Sequence, residues 1–217
     1  MNARSHIFEF VVEFCQVEEV VLSVFHTVLL QRSTGKFHYR KDSSYTIGTV
    51  GFEDVDCQFV DFTYVKCACA ELDHSLRKHT NMFKEALKAS ETHKSGQISL
   101  EFYQRKKSQW PFPTEAVPWE LWTVKLDIVT LFHESEKEAL RERLAEELGD
   151  KVRCIADLVN RPEYVPKMPN ESEYENVFDS KYKEVQPYLH KITYNTSTSS
   201  QSVGSTMRKL IRDTFNY

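Results

Sequence analysis

The sequence predicts a single α+β domain in which three helices back a mixed or antiparallel sheet. Two observations carry this. Apolar residues recur with a period of two in some segments and of three to four in others. The resulting order is strand, helix, strands, helix, hairpin, long helix and irregular tail, with no internal repeat and no linker between two cores. A chain of 217 residues, 41% hydrophobic and 12% aromatic, is large enough to bury one such core.

Each element has its own signal. Ile7 to Phe14 is rich in Phe and Val and reads as the opening strand. Val17, Val20, Val21, Val24, Phe25, Val28 and Leu29 then recur at helical steps, in a helix that Gly35 ends. Lys36 to Val50 reads as a β-hairpin turning at Asp42-Ser43-Ser44, with Phe37, Tyr39, Tyr45 and Ile47 on its strands. Cys57 to Cys67 reads as one further strand. A second helix spans about Glu71 to Ala89, carrying Leu72, Leu76, Phe83 and Leu87 on one side. Ile98, Leu100 and Phe102 alternate in the next strand. Val117 to Trp122 gives another strand signal. Beyond it, Trp122, Val124, Leu126 and Ile128 alternate against Thr123, Lys125 and Asp127, as in a half-buried strand. Trp119 and Trp122 are assigned to the core.

The third helix is expected to begin at Ser135, with Glu138 completing a capping box. It carries Leu140, Leu144, Leu148, Ile155 and Val159 and stops before Pro162, with Gly149 expected to weaken or bend it. Pro162, Pro166, Pro169 and Pro187 punctuate 161–187 as a long irregular connection. Tyr188 to Tyr194 offers a last strand, and Asn195 to Ser205 a Ser/Thr-rich loop. Met207, Leu210, Ile211 and Phe215 suggest a short closing helix.

Composition narrows the function. A net charge of −4 and a pI near 6.1 argue against general nucleic-acid binding. Glu9, Glu13, Glu18 and Glu19 interrupt the apolar N-terminus, so no signal peptide is expected. The run Val20 to Leu30 is shorter than the roughly 20 residues a membrane span needs. Without a secretory signal, Asn170-Glu171-Ser172 and Asn195-Thr196-Ser197 read as chance matches to the glycosylation pattern. Five irregularly spaced cysteines fit reduced cytosolic thiols better than a disulfide framework.

No enzyme motif emerges. Ser33-Thr34-Gly35-Lys36 lacks the upstream glycine of a phosphate-binding loop, and there is no Gly-x-Ser-x-Gly elbow. Asp61 reads as an edge or hydrogen-bonded carboxylate. Cys67, Cys69, His74 and His79 are zinc-type residues, but the two histidines stand five apart on diverging helix faces. No catalytic residue, cofactor or metal is therefore assigned. Arg105-Lys106-Lys107, with Lys36, Arg40 and Lys41, reads as a solvated strand end that discourages edge pairing. The alternative is contact with phosphate or acidic protein.

The sharpest feature is Ser108-Gln109-Trp110-Pro111-Phe112-Pro113, between two strand signals. Pro111 and Pro113 oppose both helix and regular ladder. A hairpin tip pushing Trp110 and Phe112 into solvent would call for a partner. The alternative folds both rings back onto the sheet.

Several segments occur here in a specific order: Thr34-Gly35-Lys36-Phe37-His38-Tyr39, Ile47-Gly48-Thr49-Val50-Gly51, Asp61-Phe62-Thr63-Tyr64-Val65 and Ser99-Leu100-Glu101-Phe102-Tyr103-Gln104. Trp110-Pro111-Phe112, Pro118-Trp119-Glu120, Pro166-Lys167-Met168-Pro169 and Val185-Gln186-Pro187-Tyr188-Leu189 follow. Together they resemble the autophagy-related protein 101 family, essentially end to end. The resemblance implies a HORMA domain over 1–217, with 1–160 as its core and 161–217 as a safety-belt-like C-terminal region. It implies a non-enzymatic adaptor of the Unc-51-like kinase complex that initiates autophagy, in the cytoplasm and at autophagosome formation sites. The implied partner is the HORMA domain of autophagy-related protein 13. An exposed finger, here Trp110 and Phe112 with Pro111 between them, would recruit downstream factors. Whether the finger meets a protein pocket or a membrane lipid stays open, as does homodimer formation when the partner is absent. Leu140 to Val159 is an interface candidate, although core packing asks for the same stripe. Cys15, Cys67, Cys69 and Cys154 fall outside the family pattern and inherit no role. A second reading is a peptide-trapping HORMA module that closes residues 161–217 around a ligand.

Overall fold

A computed structural model describes residues 3–40, 44–89, 95–106, 114–161 and 164–196. The chain begins with β1 (Arg4–Glu13), a 3-10 turn at Phe14–Gln16 and α1 (Val17–Gln31). Five short strands follow: β2 (Ser33–Thr34), β3 (Phe37–Tyr39), β4 (Tyr45–Ile47), β5 (Phe52–Asp56) and β6 (Thr63–Cys67). Next come α2 (Ala70–Ala89), β7 (Ser95–Lys106), β8 (Glu115–Val129) and α3 (Glu134–Val159). A 3-10 segment at Glu171–Asn176, then β9 (Gln186–Pro187) and β10 (His190–Asn195), complete the order.

The main sheet is mixed, with strand order β1-β8-β7-β10. β1 runs parallel to β8, while β8-β7 and β7-β10 are antiparallel. Alternation decides its inner face. Phe8, Phe10 and Val12 of β1, Ile98, Leu100 and Phe102 of β7, and Trp122, Val124 and Leu126 of β8 are all buried. α1 lies among this face, β6 and the other two helices, and 11 of its 15 residues are buried. By length and composition Phe14–Gln31 would pass for a membrane-crossing helix, contrary to the expectation from Val20–Leu30 alone. Here it is the core helix, because neighbours cover it nearly all round. α2 and α3 each bury one stripe: Leu72, Leu76, Phe83 and Leu87 on α2, and Leu140, Leu144, Leu148, Ile155 and Val159 on α3.

The predicted α+β class, the three helices and the mixed sheet match this architecture. Several local expectations do not. Cys57 to Cys67 is not one strand: β5 ends at Asp56, the chain turns, and β6 begins at Thr63. Cys69 therefore lies beyond β6, which ends at Cys67. The two signals around Trp122 are one 15-residue strand, β8. α1 ends at Gln31, before Gly35, with the Arg32 amide closing on Val28 O and Leu29 O. α3 starts at Glu134 with His133 as its N-cap and no side-chain capping bond, so the Ser135/Glu138 capping box does not form. Gly149 lies within α3, which is one helix from Glu134 to Val159. The 161–187 connection contains the 3-10 segment and β9. The expected hairpin tip at Asp42-Ser43, the finger and the closing helix from Met207 lie outside the described residues.

One irregularity shapes the interior. Phe102 pairs with Glu120 and Tyr103 with Pro118, so Trp119 is an extra residue on β8. Such a bulge turns consecutive side chains to one face. It sets Trp119 beside Glu120, which is already in phase with Trp122, and the two are 4% and 0% exposed.

Candidate functional site

The β7–β8 ladder continues to the pair Lys106↔Glu115. Arg105, Lys106, Glu115 and Ala116 are exposed at that end. This is where the 107–113 connection, with Trp110, Pro111 and Phe112, is attached to the sheet. The basic run starts on a solvated strand end, as its composition suggested. Trp119 and Trp122 are core residues, as expected. Trp119 packs edge-on to Tyr188 at 5.2 Å and against Phe102 at 5.5 Å.

The zinc-type residues are not brought together. His79 Nδ1 lies 2.7 Å from Ser75 O, and His74 lines an outer groove of α2 with Arg77 and Met82. Cys69 is gathered instead with Glu71 and Glu184, their ligand atoms within 4.8 Å of one another. Cys69 Sγ points to Glu71 Oε2 at 3.7 Å. Burial, then the neighbouring Glu184 carboxylate among other groups, raises the Cys69 thiol. Burial pushes Cys57 and Cys67 up to about 11. A thiol raised in this way stays protonated near neutrality and is a poor nucleophile. All five cysteines are free. Asp61 is exposed and ion-paired with Arg141 at 2.6 Å.

Two charged clusters were not singled out from the sequence. Asp73 on α2 accepts from His26 of α1 at 3.0 Å and from Arg77 at 3.1 Å, and pairs with Lys66 of β6 at 3.1 Å. These bonds, led by that from His26, hold its carboxyl well below the usual range. Burial lowers His26, so the ring is neutral and its Nε2–H serves as the donor. The cluster ties α1, β6 and α2 at one point.

The second cluster is deeper. Arg32 Nε donates to Glu120 Oε2 at 2.7 Å and Nη2 to Oε1 at 2.8 Å, a bidentate fork. Nη1 also reaches Val159 O at the end of α3, at 3.2 Å. Tyr164 OH accepts from Nη2 at 3.1 Å and donates to Glu120 Oε1 at 2.7 Å. Arg4 stacks over the Tyr164 ring, 4.0 Å from its centroid. Burial opposes the Arg32 charge, but the bonds to Glu120 outweigh it and the guanidinium pKa is raised. Glu120 had a signal in the sequence, since it shares its alternation phase with Trp122 and Val124. Its partner, 88 residues away, had none.

A mixed sheet backed by three helices, with a C-terminal strand added along β7, is consistent with a HORMA-type fold. The family model described as autophagy-related protein 101 matches residues 9–172. Curated proteins named autophagy-related protein 101 from Xenopus tropicalis and Homo sapiens are each 54% identical over 215 residues, covering 99% of both chains. A protein of the same name from Arabidopsis thaliana is 26% identical over 123 residues, 56% of this chain and 51% of its own. The chain belongs to the autophagy-related protein 101 family, and its role lies in autophagy.

Proposed function

We propose that this protein is a non-enzymatic adaptor of the Unc-51-like kinase complex. It pairs with the HORMA domain of autophagy-related protein 13, and Trp110 and Phe112 recruit downstream factors to autophagosome formation sites from the cytoplasm. Family membership supports the setting. The carrying observation is the exposed Lys106↔Glu115 end of the β7–β8 hairpin. It joins to a seven-residue segment, 107–113, that holds two large aromatics and two prolines. Burying both rings in a partner is worth ~8–12 kcal/mol at ~25 cal/mol/Å². Association costs of ~4–15 kcal/mol offset much of this, so surrounding contacts must contribute. The raised, protonated thiols agree with an adaptor rather than a thiol enzyme. β10 already fills the β7 edge, so an added peptide strand would have to join β1 or β10.

The test is the double variant Trp110→Ala/Phe112→Ala, studied with the partner HORMA domain. Unfolding temperature and heterodimer mass should stay at wild-type values while recruitment of downstream factors in cells is lost. A drop of several degrees in the unfolding midpoint would place the rings in the core and overturn the finger.

A further inference from the structure

Residues Tyr164–Leu189 form a strap across one end of the molecule. Its middle is apolar: Val177, Phe178, Tyr182, Val185 and Leu189 are buried. Its backbone pairing is slight. β9 makes a two-pair ladder with β2, Ser33↔Pro187 and Thr34↔Gln186, and Phe178 forms an isolated bridge to Tyr188. At the strap's beginning, Tyr164 OH bonds both the Arg32 guanidinium and the Glu120 carboxylate. At its far end, the Tyr188 amide donates to the backbone O of Arg32 at 3.0 Å. One residue thus grips the strap at both ends, by its side chain at one and its carbonyl at the other.

We propose that Arg32 is a fastener, holding the strap shut over the core and keeping β10 registered on β7. Three features argue for a device rather than an ordinary ion pair. First, the same guanidinium takes Val159 O, so the end of α3 and the strap that follows it are fixed together. Second, the residue after the strap begins β10, and Tyr103 of β7 donates to Leu189 O at 3.0 Å, so strap and sheet edge are continuous. Third, Trp119 lies between Tyr164 and Tyr188, 6.2 and 5.2 Å from their rings, so the bulge that turns Trp119 inward beside Glu120 also seats both strap ends. The middle of the strap is held separately, by Phe37 N–H on Gln186 Oε1 at 2.9 Å and Tyr39 OH on Pro169 O at 3.3 Å, so loosening the Tyr164 end is expected to free the strap's ends and β10 before the rest of the sheet opens.

Hydrogen exchange of the full chain tests this. Tyr164→Phe removes the hydroxyl and keeps the ring and the Arg32–Glu120 fork. Losing such a hydrogen bond shifts a local opening equilibrium by about tenfold. The expected result is about tenfold faster exchange across 186–195, with β1 and the β8 stretch Trp122–Ile128 unchanged. Arg32→Met with Glu120→Leu replaces the fork by apolar groups, a change such pairs commonly tolerate. It should fold and show the same selective acceleration, larger in extent. Equal acceleration throughout the sheet in Tyr164→Phe would make the cluster a general stability element and overturn the fastener. Unchanged exchange over 186–195 in Tyr164→Phe would overturn it as well.

Discussion

Burial governs the chemistry of individual side chains here. Cys57 and Cys67, pushed up to about 11, hold little thiolate near neutrality. Their alkylation by iodoacetamide at pH 7.5 should be ~100-fold or more slower than that of a free thiol. Rapid labelling in the folded protein would contradict their placement. His6, His26 and His190 are all held below the ordinary 6.5, by burial first in each case. The unfolded chain therefore binds more protons than the folded one as pH falls below about 6.5. Stability is full above that value and declines on acidification. Asp73, depressed when folded, adds a further loss once pH falls below its unfolded value of 3.8. The urea midpoint should fall between pH 7 and 5, and His26→Gln should make that slope shallower. A midpoint that rises on acidification would contradict the buried neutral histidines. Residue types alone showed none of this, because a shift depends on what covers a group in three dimensions.

Among the elements, legibility follows from whether local patterning or distant contacts decide the backbone. The β3–β4 hairpin was readable because Phe37, Tyr39, Tyr45 and Ile47 share one face, as the pairs Phe37↔Ile47 and Tyr39↔Tyr45 show. That face packs on Tyr174 and Phe178, with Phe37 5.4 and 5.2 Å from their rings. The Cys57–Cys67 segment misled because its apolar residues answer to packing rather than pleat. Val60 is fully buried in a turn, and the Gln58 and Phe59 amides are held by the Glu19 carboxylate of α1. A carboxylate 39 residues away leaves no periodic mark. α3 starts one residue before the position that its capping sequence predicts, because such a sequence is permissive, not compulsory. At the hairpin base, a Cβ on Gly35 would meet Gly48 O at 2.0 Å, backbone that no rotamer can relieve. Gly35→Ala should cost about 1–3 kcal/mol in urea denaturation. A neutral result would mean that the two segments separate freely.

For the molecule as a whole, the finger and the fastener make opposite predictions. Removing Trp110 and Phe112 should leave the fold intact and abolish recruitment. Removing the Tyr164 hydroxyl should leave the finger alone and loosen one edge of the sheet. By itself, the sequence determined the α+β class, the three helices, the inward residues of β7 and β8, and the family, because periodicity and motif order are local properties of the chain. It also made Trp110-Pro111-Phe112 the candidate site. Tertiary structure alone decided that α1 is buried nearly all round and that β8 bulges at Trp119, beside Glu120. It alone joined Arg32 to Glu120, Val159, Tyr164 and Tyr188. Those pairings depend on which distant segments meet in the folded chain, and no local pattern encodes that meeting.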